Sequence, residues 1–188
     1  MKFKIGIFGS AEGGSDKAKQ LAKNLAEHLS NHNVTILTGA GSGIPYEVAV
    51  GVAKKGVEVW GYSPSISFKQ HKSFYPSHDL SVYNKLFFIP KDYEFSDNKD
   101  VMRKYRNVTS TATCDAGIII SGRWGSMNEF TNLYDMGKII GVLTGTGGIA
   151  DKLDSLTKKI SKESKAKVIF ESSPEKLVKE LISLLENK

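Results

Sequence analysis

Three arginines stand apart in a chain whose other basic side chains are all lysine. Arg103, Arg106 and Arg123 accompany 23 lysines, and all three fall between positions 103 and 123. A guanidinium offers phosphate or carboxylate a rigid bidentate fork that an ammonium cannot reproduce. Arg103 and Arg106 are spaced to share one helical face, although a solvated basic turn would look the same. The window closes on Ser121-Gly122-Arg123-Trp124-Gly125-Ser126-Met127-Asn128-Glu129, between a buried apolar run and a helical stretch. Free amides at such a junction, the positive end of the helix dipole, the Ser126 hydroxyl and Arg123 would together bind an anion. A structural reading competes. Ser126-x-x-Glu129 has the spacing of a capping box, in which serine and glutamate satisfy each other's backbone amides. Glu129 can serve a ligand only if it turns away from that cap. Trp124 fits either stacking on a base or shielding the loop.

Other motifs narrow the chemistry mainly by failing. Gly9–Gly14 and Gly51–Gly56 have the G-x-x-x-x-G spacing but lack the lysine and hydroxyl of a Walker A loop. Gly39-Ala40-Gly41-Ser42-Gly43 follows a strand-like run and misses the third glycine of a dinucleotide fingerprint. His71 and His78 lie in a loop with no carboxylate or cysteine cluster at ligand spacing, so no metal is expected. Cys114 precedes an apolar run and reads as a small core residue. No G-x-S-x-G elbow is present, which argues against an α/β-hydrolase.

The elements that must position these residues alternate between strand and helix periodicity. Strands are expected at Lys2–Phe8, Val34–Thr38, Glu58–Tyr62, Lys85–Ile89, Gly117–Ser121, Ile139–Leu143 and Val168–Phe170. Helices are expected after Ser15 or Asp16, from Pro45 to about Lys55, and over Asp100–Thr113, Ser126–Met136, Ala150–Ser161 and Pro174–Leu185. Residues 65–84 read as an irregular surface excursion and 91–99 as a polar connection. Such alternation predicts a parallel sheet with helices on both faces, and no linker or repeat divides residues 1–188. Ligands of such sheets bind at the carboxyl ends of the strands. Those ends carry Gly9-Ser10, Gly39–Gly43, Ser63-Pro64, Ser121–Ser126 and Thr144–Gly148.

Composition sets the outer bounds. At 188 residues, 40% hydrophobic and 24% charged, the chain is of globular type and the length of one domain. The net charge of +6 would suit a polynucleotide partner, but residues 1–60, 61–149 and 150–188 each contribute +2. No basic stripe results. With one cysteine and no apolar run long enough to span a bilayer, a cytoplasmic protein without membrane or polynucleotide partners is expected.

Taken together, these motifs resemble the LOG (lonely guy) family, also called lysine-decarboxylase-like, within the Rossmann-like nucleotide-binding proteins that include molybdenum-cofactor carriers. The family hallmark is P-G-G-x-G-T-x-x-E with an arginine fifteen residues earlier. Ser121–Glu129 occupies that frame, and Arg106 lies at the arginine's position. Thr38–Glu47 resembles the family's second glycine loop, and Gly61-Tyr62-Ser63-Pro64 its G-x-x-P. The departures are Ser121-Gly122-Arg123 for Pro-Gly-Gly, Ser126 for threonine, and Arg106-Asn107 for Arg-Lys; the first and last look closer to an uncharacterised branch and to the cofactor carriers than to the hydrolases. The resemblance implies a homodimer hydrolysing nucleoside 5′-monophosphates to free base and ribose 5-phosphate, with no cofactor beyond the bound nucleotide or phosphate. Arg106 and Glu129 would then be the catalytic pair, and Gly122, Gly125 and Ser126 the phosphate cradle. Gly9, Ser10, Gly39, Ala40, Gly41 and Gly43 would line the ribose and base side. The alternative it implies is a non-catalytic carrier of a nucleotide or pterin phosphate.

Overall fold

The computed structural model describes residues 1–12, 14–160 and 162–188. Seven parallel strands form one sheet in the order β4-β3-β2-β1-β5-β6-β7. These are β1 (Phe3–Gly9), β2 (Val34–Thr38), β3 (Glu58–Tyr62), β4 (Lys85–Phe87), β5 (Ala116–Ile120), β6 (Ile139–Leu143) and β7 (Lys167–Glu171). The helices are α1 (Asp16–Leu29), α2 (Ile44–Ala53), α3 (Phe68–Phe74), α4 (Lys99–Thr113), α5 (Trp124–Asp135), α6 (Ala150–Lys159) and α7 (Pro174–Glu186).

Alternation along the strands divides the core into two layers, because successive side chains point to opposite faces. Ile5, Ile7, Ile36, Ile118 and Ile120 pack with the apolar stripes of α1, α2 and α7. Phe8, Leu37, Ile119, Ile140 and Val142 pack on the other face with Phe130 and Leu133 of α5 and Leu153 of α6. Such doubly covered parallel strands read as continuous apolar runs, which is why the central ones are legible in sequence.

The chain lays β2, β3 and β4 outward on one side of β1, then crosses back to place β5, β6 and β7 on the other. Strand order therefore reverses between β1 and β5, with Gly9 opposite Ile120 at the carboxyl end. A crevice opens wherever the order reverses in this way.

Three expectations need correction. Residues 65–84 are not irregular: they contain α3 and a 3-10 turn at Leu80–Val82. The segment folds because Ser67 caps α3 and His71 is buried, its Nδ1 sharing a hydrogen bond with Ser63 Oγ at 2.7 Å. β4 ends at Phe87, short of Ile89. α5 begins at Trp124, two residues before the expected Ser126. The last shift decides what Glu129 can do.

Candidate functional site

Ser126 is not an N-cap. Arg123 holds the N-cap position of α5 but makes no side-chain hydrogen bond to the helix, so the first turn is left uncapped and Ser126 lies within it. The capping box is absent because its geometry requires serine outside the helix. Glu129 is freed from that role and is buried, at 7% exposure, in the wall of a cleft. Among the described residues its carboxyl group has no hydrogen bond or ion pair within the protein.

That cleft, of about 530 Å³, lies at the reversal between β1 and β5. Gly9, Ser10, Ala11 and Glu12 after β1 and Gly39, Gly41 and Ser42 after β2 form one side. Arg123, Gly125, Ser126 and Glu129 of the β5–α5 junction line it on the β5 side, and Asp100, Arg103, Lys104, Arg106 and Asn107 of α4 complete the wall. Gly9, Ser10, Gly39, Gly41, Arg123, Gly125, Ser126 and both α4 arginines are thus brought together, whereas Ser63-Pro64 stays outside the cleft. Ala40, Gly43, Gly122 and Trp124 do not line it. Trp124 is 83% exposed and points to solvent. Gly122 and Gly43 shape the loops from behind: at Gly43 (φ 84°) a side chain would strike the Ser10 and Ala11 backbone.

Among the described residues, two other than glycine hold left-handed backbone, Ala40 (φ 48°) and Ser121 (φ 53°), and both stand at strand ends beside the cleft. Such conformations persist only where neighbours impose them. Ser121 is held by the β6–α6 loop: Thr146 Oγ1 accepts from its amide at 2.8 Å, and its carbonyl accepts from Ala150 N at 3.2 Å. The Gly122 carbonyl accepts from Ile149 N at 2.8 Å. Thr144–Gly148 therefore braces the site from outside and lines none of it. Thr146→Val should leave the buried Ser121 amide unpaired, at a cost of about 1–3 kcal/mol. Thermal unfolding is expected to show a Tm lower by several degrees.

Arg106 is clamped at two points. Its Nη1 donates to the Gly39 carbonyl, and its Nε donates to Asn107 Oδ1 at 3.0 Å. Asn107 Nδ2 in turn donates to Asn128 Oδ1 at 3.0 Å, tying α4 to α5. Asn107, where the LOG pattern has lysine, thus orients the arginine. A Cβ at Gly39 would overlap the guanidinium, so only glycine permits this approach.

Charge in the cleft is partly balanced. Arg103 pairs with Asp100 at 2.9 Å and Arg123 with Glu12 at 3.7 Å, all four exposed. Burial raises the Glu129 carboxyl to about 7, the nearby Arg106 and Lys104 charges offsetting part of the rise. Because the folded state holds this proton more tightly, the stability that Glu129 contributes is full below about 4.5 and is lost as pH rises through about 7. Relative to Glu129→Gln, wild type should lose about 3 kcal/mol across that interval, measurable by denaturant unfolding at stepped pH. Burial likewise pushes the Cys114 thiol up to about 12, as befits a core residue.

Among the described residues, no His, Cys, Asp or Glu cluster is arranged to hold a metal ion, and no helix is long and apolar enough to cross a membrane.

An all-parallel sheet with glycine loops and an uncapped helix at its order reversal defines a LOG-like member of the Rossmann-like α/β proteins. Residues 2–178 match the SLOG cluster4 family, and the chain belongs to it. No curated protein matches the sequence. Among solved structures, the protein TM1055 is similar over 100% of both chains, with a TM-score of 0.76 and 17% identity. The molybdenum cofactor binding protein of the phototrophic bacterium Rippkaea orientalis is similar over 98% of both chains, with a TM-score of 0.70 and 16% identity. DNA processing protein A of Helicobacter pylori, described for its single-stranded DNA binding, is similar over 98% of this chain and 81% of its own, with a TM-score of 0.63 and 20% identity. At these identities the likeness is one of fold.

Proposed function

We propose that the cleft binds a nucleoside 5′-monophosphate and hydrolyses its N-glycosidic bond, releasing free base and ribose 5-phosphate. The observation that carries this reading is Glu129: a buried carboxyl group in the cleft wall, unused by its own helix and close to a clamped arginine. The uncapped first turn of α5 would take the phosphate, since its amides and dipole favour an anion. Arg106 would hold the phosphate or ribose oxygens and fix the sugar against Glu129.

Cleavage of the bond from anomeric carbon to base nitrogen builds positive charge on the ribose ring. An ionised Glu129 stabilises that charge and orients the attacking water. Water supplies hydroxyl to the anomeric carbon and its proton leaves with the base. With its carboxyl raised to about 7, Glu129 titrates near neutral pH before any ligand binds. Incubation of the purified protein with AMP, GMP, IMP, CMP and UMP, followed by assay of free base, tests the activity. Release of base from at least one is expected; no turnover across the panel would exclude it.

A second reading, a carrier of a nucleotide or pterin phosphate, is favoured by Arg123. It stands where the LOG pattern has glycine and pairs with Glu12 beside the phosphate end of the cleft. The likeness to the molybdenum cofactor binding protein supports the same view. That reading predicts a ligand that raises Tm by mass action and is recovered unchanged. A polynucleotide partner is less well supported, because Arg103 and Arg123 already face Asp100 and Glu12.

A further inference from the structure

The cleft wall contains a polar group, the Tyr75 hydroxyl, that neither reading has used. Tyr75, at the end of α3, lines the cleft beside the second glycine loop, and a Cβ placed on Gly41 would lie 3.6 Å from its hydroxyl. Among the described residues that hydroxyl has no hydrogen-bond partner within the protein. Two other tyrosines use theirs structurally: Tyr46 bonds the Asp79 backbone and Tyr134 the Lys162 carbonyl.

The Tyr75 ring is held in place. His78 is sandwiched between Tyr75 and Tyr46, with ring centroids 5.0 and 4.7 Å apart and planes within 10° and 11°. Lys72 Nζ donates to the His78 carbonyl at 2.9 Å, and Tyr46 reaches across from α2 to fix Asp79. The expected surface excursion thus presents a preorganised tyrosine at the cleft.

Its position fits one end of a nucleotide. The proposed phosphate end lies at β5, and Gly41 follows β2, two strands away through β1. Adjacent strands stand about 4.8 Å apart, so the two ends are separated by about 10 Å, comparable to the reach from phosphate to base. The geometry points to Tyr75 as a base-recognition residue whose hydroxyl hydrogen-bonds the edge of the nucleobase. This assignment rests on the nucleotide reading above.

Tyr75→Phe removes the hydroxyl and keeps the stacked ring. Calorimetric titration should compare wild type and variant with the five monophosphates and with ribose 5-phosphate, which lacks a base. The variant is expected to bind at least one nucleotide about two- to tenfold more weakly, with ribose 5-phosphate unchanged. Equal affinity of wild type and variant for every nucleotide would overturn the assignment and leave the nucleotide reading standing. So would an equal loss for ribose 5-phosphate, which would show a general effect on the cleft. Failure of any nucleotide to bind wild type would overturn both.

Discussion

Glu129→Gln is expected to lower the rate of base release by about 10²–10⁴-fold while changing nucleotide affinity by no more than a few-fold. The amide is nearly isosteric with the carboxyl group, so the cleft wall keeps its shape. What is lost is the charge that opposes the developing positive ribose, a contribution made in the transition state and not in the ground state. Such a change lowers kcat and kcat/KM together and leaves binding intact. Single-turnover assay of base release together with equilibrium titration separates the two. The pH profile gives an independent check. If the ionised carboxylate does the chemistry, wild-type activity rises with pH through about 7, the value to which burial lifts Glu129. Unaltered turnover in Glu129→Gln would reduce the residue to packing and favour the carrier reading.

The same residue shows where sequence reading stops. Glycine-bearing strand ends and the spacing of the arginines are local signals, and the fold follows from them because parallel strands buried on both faces are apolar throughout. The start of α5 is not local. Ser126-x-x-Glu129 satisfies every rule for a capping box, and nothing in Arg123-Trp124-Gly125 marks a helix start. The helix begins early because the β6–α6 loop, from a distant part of the chain, clamps Ser121 and Gly122 in backbone that turns directly into it. Tyr75 was hidden for a related reason. Its segment carries weak periodicity, and its order comes from a buried His71 bonded to Ser63 and from Tyr46 on another helix. Asn107 was visible only as a departure from a family pattern; its partners, Arg106 and Asn128, give that departure its physical sense.

Arg106→Ala is expected to have the second large effect, and it differs in kind. The guanidinium is held by the Gly39 carbonyl and Asn107, so it meets a ligand already oriented and loses little freedom on binding. Its removal should weaken nucleotide and ribose 5-phosphate binding alike, by about ten- to a hundredfold for a charge-assisted contact of about 1.5–3 kcal/mol. It should also act on Glu129. The Arg106 charge is the largest influence opposing the rise that burial imposes on that carboxyl group, so without it the carboxyl titrates above about 7. The rising limb of the pH–rate profile should therefore move to more alkaline pH in Arg106→Ala, and less so in Arg106→Lys, which restores a charge without the fork. A residue that only braced α4 against β2 would weaken binding and stability without moving that limb. Coupling between the loss of affinity and the displaced pH profile is thus the signature of an arginine and a carboxylate acting on one ligand.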